Sequence, residues 1–272
     1  MVKIITDSTA DLPETIATQY NIGVVPLYIS FGNKMYKEGV DISKPEFYHK
    51  FREYESLSGG LPTTSQPSSK LSGTCESANR AKKELNKDIT VIDSGMVSAG
   101  LGLIVLCAAR AAKNGKNKEQ IIEMIEEAKG KIKVYFTVEN LKYLEKGGRI
   151  GKAQALVGNI LHILPILSFK DGIIIPIEKV RGSKKVLPKY KELINREMAN
   201  FVKFNPKENS ILSPQIEVLL VHADCIEKAN ELEAMLRTSF NCKEAITTSL
   251  IGGVVGSHTG PGTWGIAFTW YY

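Results

Sequence analysis

The sequence predicts an α/β fold in two domains, each with a mostly parallel or mixed sheet flanked by helices. Three observations carry this. Short β-rich runs alternate with helical stretches along the chain, which argues for the α/β class with mostly parallel pairing. A chain of 272 residues suffices for one large or two ordinary domains. The texture changes at Gly147-Gly148-Arg149-Ile150-Gly151, a natural hinge, so the domains are expected at 1–150 and 151–272.

Val2–Asp7 reads as the first strand. Asp11 is placed to cap a helix with Pro13 in its first turn and Glu14 near the positive end of the dipole. Val24–Ile29 reads as a strand, and Ser43-Lys44-Pro45-Glu46 has the capping-box form that opens a helix through Phe51. Gly59–Ser69 is rich in Gly, Pro, Thr and Ser and reads as a loop. Helices are expected from Ser72 to about Leu85, over Ser98–Lys113, and where Ile121, Ile122, Ile125 and Ala128 recur at helical spacing. Thr90–Asp93 and Val134–Val138 read as strands.

Beyond the hinge a helix is expected over Lys152–Ile163. Asp171-Gly172 lies between the β-rich runs Ile166–Phe169 and Ile173–Ile177 and marks a hairpin. A polar helix over Lys184–Phe201, a strand over Glu217–His222 and a helix with the stripe Ile226, Ala229, Leu232, Met235 and Leu236 follow. Ala245–Leu250 and Gly265–Trp270 close the chain as strands.

Composition narrows the function. The hydrophobic fraction of 43% supports a proper core. The formal charge of +6 is spread over solvated Lys such as Lys82, Lys83, Lys184 and Lys185, without the basic block and interleaved aromatics of a nucleic-acid surface. Cys75, Cys107, Cys225 and Cys242 form no C-x-x-C pair, and His49, His162, His222 and His258 have no metal spacing. No cofactor is implied. Ala99–Ala109, the longest apolar stretch, is too short to span a bilayer, and the N-terminus reads straight into a strand. The expectation is a reduced, cytoplasmic protein without stable membrane insertion. A phosphate-binding P-loop, a G-x-S-x-G elbow, H-E-x-x-H and a dinucleotide fingerprint are all absent.

Three hydroxyl-rich loops remain: Pro62–Pro67, Ser68–Thr74 and Gly256–Thr263. Ser, Thr and Gly are ordinary turn and cap residues. They are also suited to a carboxylate or phosphate, above all at a helix N-terminus. His222, at a strand end, reads as structural, and the C-terminal aromatics Trp264, Trp270, Tyr271 and Tyr272 as packing.

Taken together, T-D-S-T-A-D-L-P (Thr6–Pro13), T-S-Q-P (Thr64–Pro67), S-S-K-L-S-G-T (Ser68–Thr74), the Leu141–Ile150 run, E-K-V-R-G (Glu178–Gly182) and G-S-H-T-G-P-G-T (Gly256–Thr263) resemble the DegV family, in the family's order. The resemblance implies a long-chain fatty acid held between the two domains, its tail in an apolar tunnel and its carboxylate on hydroxyls. By motif position it implies Thr63 or Thr64 and Ser69 as carboxylate-binding hydroxyls, with His258 beside the head group. It implies a non-catalytic carrier whose partner is a fatty acid kinase catalytic subunit, with Arg181 serving that phosphotransfer partner. Family members usually carry a helix and a strand between the T-S-Q-P and S-S-x-L-S-G loops. Here Pro67-Ser68 runs directly into Ser69, and a parallel crossover needs a dozen or more residues.

An enzyme is the other reading: a Ser/His acyl hydrolase or acyltransferase using Ser69 or Ser257 with His258. It requires a base within reach of the serine and an acid behind the base, and no acidic residue lies near either in sequence.

Overall fold

The computed structural model describes residues 2–64, 72–85, 87–157, 163–204, 214–242 and 246–271. The chain is a mixed α/β protein whose sheets are flanked by helices. β1 (Ile5–Asp7) leads through α1 (Glu14–Gln19) to β2 (Gly23–Val25), its parallel neighbour. β3 (Tyr28–Phe31) and β4 (Lys34–Lys37) pair antiparallel, and α2 (Lys44–Ser58) follows. β5 (Thr63–Thr64) returns to the far edge of β3. Next come α3 (Thr74–Leu85), α4 (Ala99–Lys113), α5 (Lys118–Lys131), β6 (Lys133–Thr137) and α6 (Lys142–Lys146). The hairpin of β7 (Ile163–Lys170) and β8 (Ile173–Arg181) precedes α7 (Val186–Phe204), β9 (Gln215–His222), α8 (Ile226–Ser239), β10 (Thr247–Leu250), α9 (Gly253–Thr259) and β11 (Trp264–Tyr271).

A six-stranded mixed sheet in the order β10-β9-β11-β6-β7-β8 is the backbone of the molecule. β6 lies before the Gly147–Gly151 bend in sequence, yet it sits inside this sheet between β11 and β7. Side chains alternate across the strands with period two. Tyr135, Val218, Leu220, Ile266 and Phe268 face a core closed by α7 and α8. Val134, Phe136, Leu219, Val221 and Ala267 face a second core that α2 and α4 complete. The functional cavity lies on this second face.

Several elements form as their local chemistry dictates. Ser43 and Glu46 make a reciprocal capping box at α2, with Pro45 in the first turn. The helix then runs on to Ser58, past Phe51, and ends on Gly59 in the left-handed region. Asp171 and Gly172 both take positive φ, 53° and 70°, as the β7–β8 turn requires.

Others depart from expectation. Asp11 does not cap α1, whose N-cap is Pro13; its carboxylate turns inward to Ser98 and Gly252. Gly256–Thr259, expected as loop, is the second half of α9. Its two glycines, Gly253 and Gly256, disfavour that helix by about 1 kcal/mol each, and packing against α2 overrides this. The helix expected over Lys152–Ile163 is a short 3-10 turn at Gly151–Leu156, and β7 begins at Ile163. The apolar run from Ile163 is taken into the sheet beside β6; residues 158–162 lie outside the described residues.

Thr90–Asp93 forms no strand, because an extended segment without a paired neighbour has no partner for its backbone groups. The same deficit shows nearby. β1 and β2 form a sheet of only two strands, Ile5, Val24 and Val25 are exposed, and α3 buries no residue along its twelve. The Ser68–Ser69 junction itself lies outside the described residues.

α4 packs tightly where Gly102 passes under the first turns of the chain. A Cβ there would stand 2.8 Å from the Ala10 carbonyl oxygen and 2.6 Å from a Leu219 methyl. Gly102→Val is expected to lower the unfolding free energy by about 1–3 kcal/mol, although helix interiors favour most residues over glycine. Urea denaturation measures this, and an unchanged midpoint would refute the tight packing.

Candidate functional site

A narrow, largely apolar cavity opens between the sheet face and α9. Its walls are apolar: Val134 and Phe136 from β6, Val221 from β9, Val254 and Val255 from α9, and Phe169 from β7. Phe136 and Phe169 stack with centroids 5.3 Å apart. Polar groups gather around α9, where Thr64, His258 and Thr259 line the space with Arg149. Arg149 is the only charged side chain among the described lining residues, and none of these is acidic.

Each polar group is placed by its element. β5 pairs Thr64 with Ile29 and Thr63 with Ser30, so the two threonines point to opposite faces. Thr64 is half-buried and reaches the cavity, and its Oγ1 lies 3.1 Å from His258 Nε2. Either atom can donate, according to the histidine tautomer. Thr63 is exposed and does not line the cavity. Ser69 lies outside the described residues. Arg181 ends β8 opposite Ile163, exposed and away from the cavity lining.

His258 sits in the last turn of α9 against Gly147, where any Cβ would overlap the imidazole at Nδ1. The Nδ1 atom is buried without a hydrogen-bond partner among the described residues. Burial, aided by the neighbouring Arg149 guanidinium, holds its pKa down at about 4. The ring is therefore neutral at physiological pH and acts as a hydrogen-bonding group. Arg149 also donates to the Gly147 carbonyl at 2.7 Å, which ties the glycine bend to the wall of the site.

Sequence reasoning singled out Thr64 and His258, which the fold brings into contact. Arg149 stands in the Gly147–Gly151 hinge and in the Leu141–Ile150 run, and a lone arginine in a glycine-rich bend is the signal it offers. Ser98 was missed altogether. It lines the cavity at φ 54°, ψ −136°, outside the ordinary regions for a non-glycine residue. Its N–H donates to the Thr9 carbonyl at 2.6 Å and its hydroxyl to Asp11 at 2.7 Å. Nothing local in the sequence foretells that geometry.

The Ser/His enzyme reading gains no geometric support. Ser257 is buried and donates to the Gly253 carbonyl of its own helix at 2.6 Å. Among the described residues, Thr64 is the hydrogen-bond partner of His258, and no carboxylate orients the ring. No group of His, Cys, Asp and Glu among the described residues could hold a metal ion, and no described helix is long and apolar enough to cross a membrane.

The site thus combines a largely apolar cavity, a neutral hydroxyl–imidazole pair and one arginine. The chain belongs to the DegV family. The profile of that family, described as uncharacterised proteins, matches residues 1–70 and 67–270. The chain is 37% identical to a DegV domain-containing protein of Caldanaerobacter subterraneus subsp. tengcongensis, over 98% of each chain. It superposes on a fatty-acid-binding DegV family protein from Thermus thermophilus with a TM-score of 0.84 at 29% identity, covering 98% of both chains. A stearic acid-binding protein from Eubacterium ventriosum gives a TM-score of 0.82 at 26% identity, covering 99% of this chain and 98% of that one. The two profile stretches meet at residues 67–70, where T-S-Q-P passes directly into S-S-K-L-S-G-T. The alignment to the Caldanaerobacter relative runs over 292 positions against 272 residues, so at least 20 of its positions have no counterpart here.

A neutral buried histidine leaves a signature. The unfolded chain binds a proton near pH 6.5 and the folded site near pH 4, so stability present above about 6.5 is lost as pH falls toward about 4. Burial lowers the His222 pKa as well, so that residue acts in the same direction. In a ¹⁵N NMR titration the His258 ring is expected to stay singly protonated down to pH 5. Titration near 6.5 would contradict the buried, cation-flanked placement.

Proposed function

We propose that this chain binds a long-chain fatty acid in the cavity, with its carboxylate at the Thr64–His258 end, and presents it to a fatty acid kinase subunit. The observation that carries this is the Thr64–His258 pair, 3.1 Å apart, beside a single arginine in a largely apolar space. A neutral hydroxyl and imidazole hold a carboxylate by hydrogen bonds without placing an ammonium against lipid. Arg149 supplies the one compensating charge. Each buried CH₂ of the tail is worth roughly 0.8 kcal/mol, so the tail supplies affinity and the head group sets orientation. The fatty-acid-binding Thermus and Eubacterium structures, matched over nearly their whole length, support the ligand class.

The role toward the kinase rests on the exposed Arg181 at the end of β8, a guanidinium suited to bidentate phosphate contact. The protein itself is read as non-catalytic, since its buried Ser257 is committed to the α9 backbone. A reduced, cytoplasmic setting is part of the same reading.

Mass spectrometry under native and denaturing conditions tests the ligand. The expected result is one non-covalent C16–C18 acid per chain, released on denaturation. A covalent acyl-serine would favour hydrolase or transferase chemistry, and no acid with no uptake of added palmitate would end the proposal. His258→Ala is expected to reduce kinase-dependent acyl phosphate formation more than it weakens palmitate binding; equal, complete loss of both would contradict that division of labour. Arg181→Ala should leave bound lipid intact and slow the kinase reaction. An emptied pocket in that variant would move Arg181 into the lipid site.

A further inference from the structure

Behind the proposed head-group site lies a second, largely buried polar cluster. Asp11, 1% exposed, accepts the Gly252 N–H at 2.6 Å and the Ser98 hydroxyl at 2.7 Å. Glu38, 5% exposed, accepts the Val254 N–H at 3.0 Å. Gly252 and Val254 are the N-cap and second residue of α9, and His258 and Thr259 close that helix one turn later. Lys44 stands 3.6 Å from Asp11 and donates to the Leu250 carbonyl at 2.7 Å, just ahead of the same helix. Tyr48 donates to the Ile251 carbonyl at 3.0 Å. Four side chains from the N-terminal third therefore grip the entry to α9, and Ser98, the N-cap of α4, braces Asp11.

We propose that Asp11 and Glu38 are positioning residues of the head-group site: they clamp the first turn of α9, and loss of the Glu38 proton loosens the clamp and with it His258. The inference rests on the fatty-acid reading for its effect on affinity, but not for the clamp itself.

The chemistry follows from crowding. A Cβ on Gly252 would touch both carboxylates, so the two acids sit across one glycine from each other. The titratable groups facing Glu38 are Asp11, which opposes its charge, Lys44, which favours it, and Tyr48 behind them. One ammonium, itself about a quarter exposed, cannot neutralise two buried carboxylates. The Glu38 Oε2 has no hydrogen-bond partner among the described residues. Burial first, and the Asp11 charge second, raise the Glu38 pKa to about 7; burial raises that of Asp11 as well. By linkage, a carboxyl whose ionisation the docked helix disfavours will, once ionised, push the equilibrium toward any arrangement that exposes it. Relative to an open helix that lets the acid into water, where a Glu ionises near pH 4.5, the clamp is firm below that value, weakens as pH rises toward about 7 and levels off above it. His258 stays neutral in the docked helix above pH 5, and its own linkage has the opposite sign, loosening the helix only as pH falls below about 6.5.

Hydrogen exchange on the unliganded wild-type chain tests the clamp directly. After correction for the intrinsic pH dependence of exchange, protection of the 252–256 amides is expected to fall by roughly tenfold between pH 6 and pH 8. In Glu38→Gln, which keeps the shape of the neutral acid, protection should be flat over that range. Palmitate affinity, measured below its aggregation concentration, should weaken with rising pH in the wild type more than in Glu38→Gln; titration of palmitate itself is common to both. A flat wild-type profile, or the same slope in both proteins, overturns the inference. If Glu38→Gln does not fold, the wild-type exchange profile alone decides. If neither protein binds palmitate at any pH, the fatty-acid reading fails while the exchange measurement still judges the clamp.

Discussion

The docking of α9 against the N-terminal third of the chain is the contact on which the site depends. This helix is seven residues long and begins Gly-Val-Val-Gly, a poor helix former by propensity. It survives because the absence of side chains lets it approach its neighbours. A Cβ on Gly253 would collide with Ile29 and Phe47, and one on Gly256 would lie 2.7 Å from the Tyr48 hydroxyl. Close approach buries Phe47, Tyr48 and Phe51 of α2, whose rings meet edge to face at 5.0 and 5.7 Å. The same approach brings Thr64, on β5 at the edge of β3, to His258. Without it Thr64 and His258 would lie on separate surfaces.

Desolvation, more than any single ion pair, sets the electrostatics of this region. Burial keeps the His258 ring uncharged. It pushes the Glu38 carboxyl up to about 7 and raises that of Asp11 although Lys44 stands nearby. The chain accepts these costs at one place, the entry and exit of α9. There backbone N–H groups at the first turn are satisfied by carboxylates, and the cavity at the last turn receives the one charged lining residue, Arg149. Buried polar groups that cost stability are often found where geometry must be held within a narrow range. The ion pairs elsewhere are mostly exposed, such as Lys129–Glu126 and Lys228–Glu231, and add little.

The N-terminal layer is thinner than the rest of the fold. Its two-stranded parallel sheet leaves Ile5, Val24 and Val25 exposed, and α3 buries no residue. The break between the two family-profile stretches falls between β5 and α3. The six-stranded sheet is unaffected, because all its strands come after residue 132. The cavity draws its sheet wall from β6, β7 and β9 and its polar end from α9, so it persists beside a reduced first layer.

Much of this was legible in the chain itself. Alternation and spacing located α2, α4, α5, α7, α8 and the β7–β8 hairpin, because capping, turn chemistry and amphipathic period act over a few residues. The hydroxyl-rich strings pointed to Thr64 and His258, because those residue types suit a carboxylate wherever the chain places them. Local rules could not choose between Thr63 and Thr64, since that depends on the face β5 turns toward α9. Nor could they foresee that Gly256–Thr259 is helical, that Thr90–Asp93 lacks a strand partner, or that β6 crosses into the sheet of the later half. Asp11 reads as a helix cap and Ser98 as the start of a helix, while Glu38 carries no local signal; only the folded chain, by removing water from all three and setting the two acids against the backbone of one short helix, makes them parts of a single cluster. The sequence by itself determines which segments form and which chemistry they carry. Burial and long-range contact, which arise between residues as much as 241 positions apart, decide which of those groups meet and in what charge state.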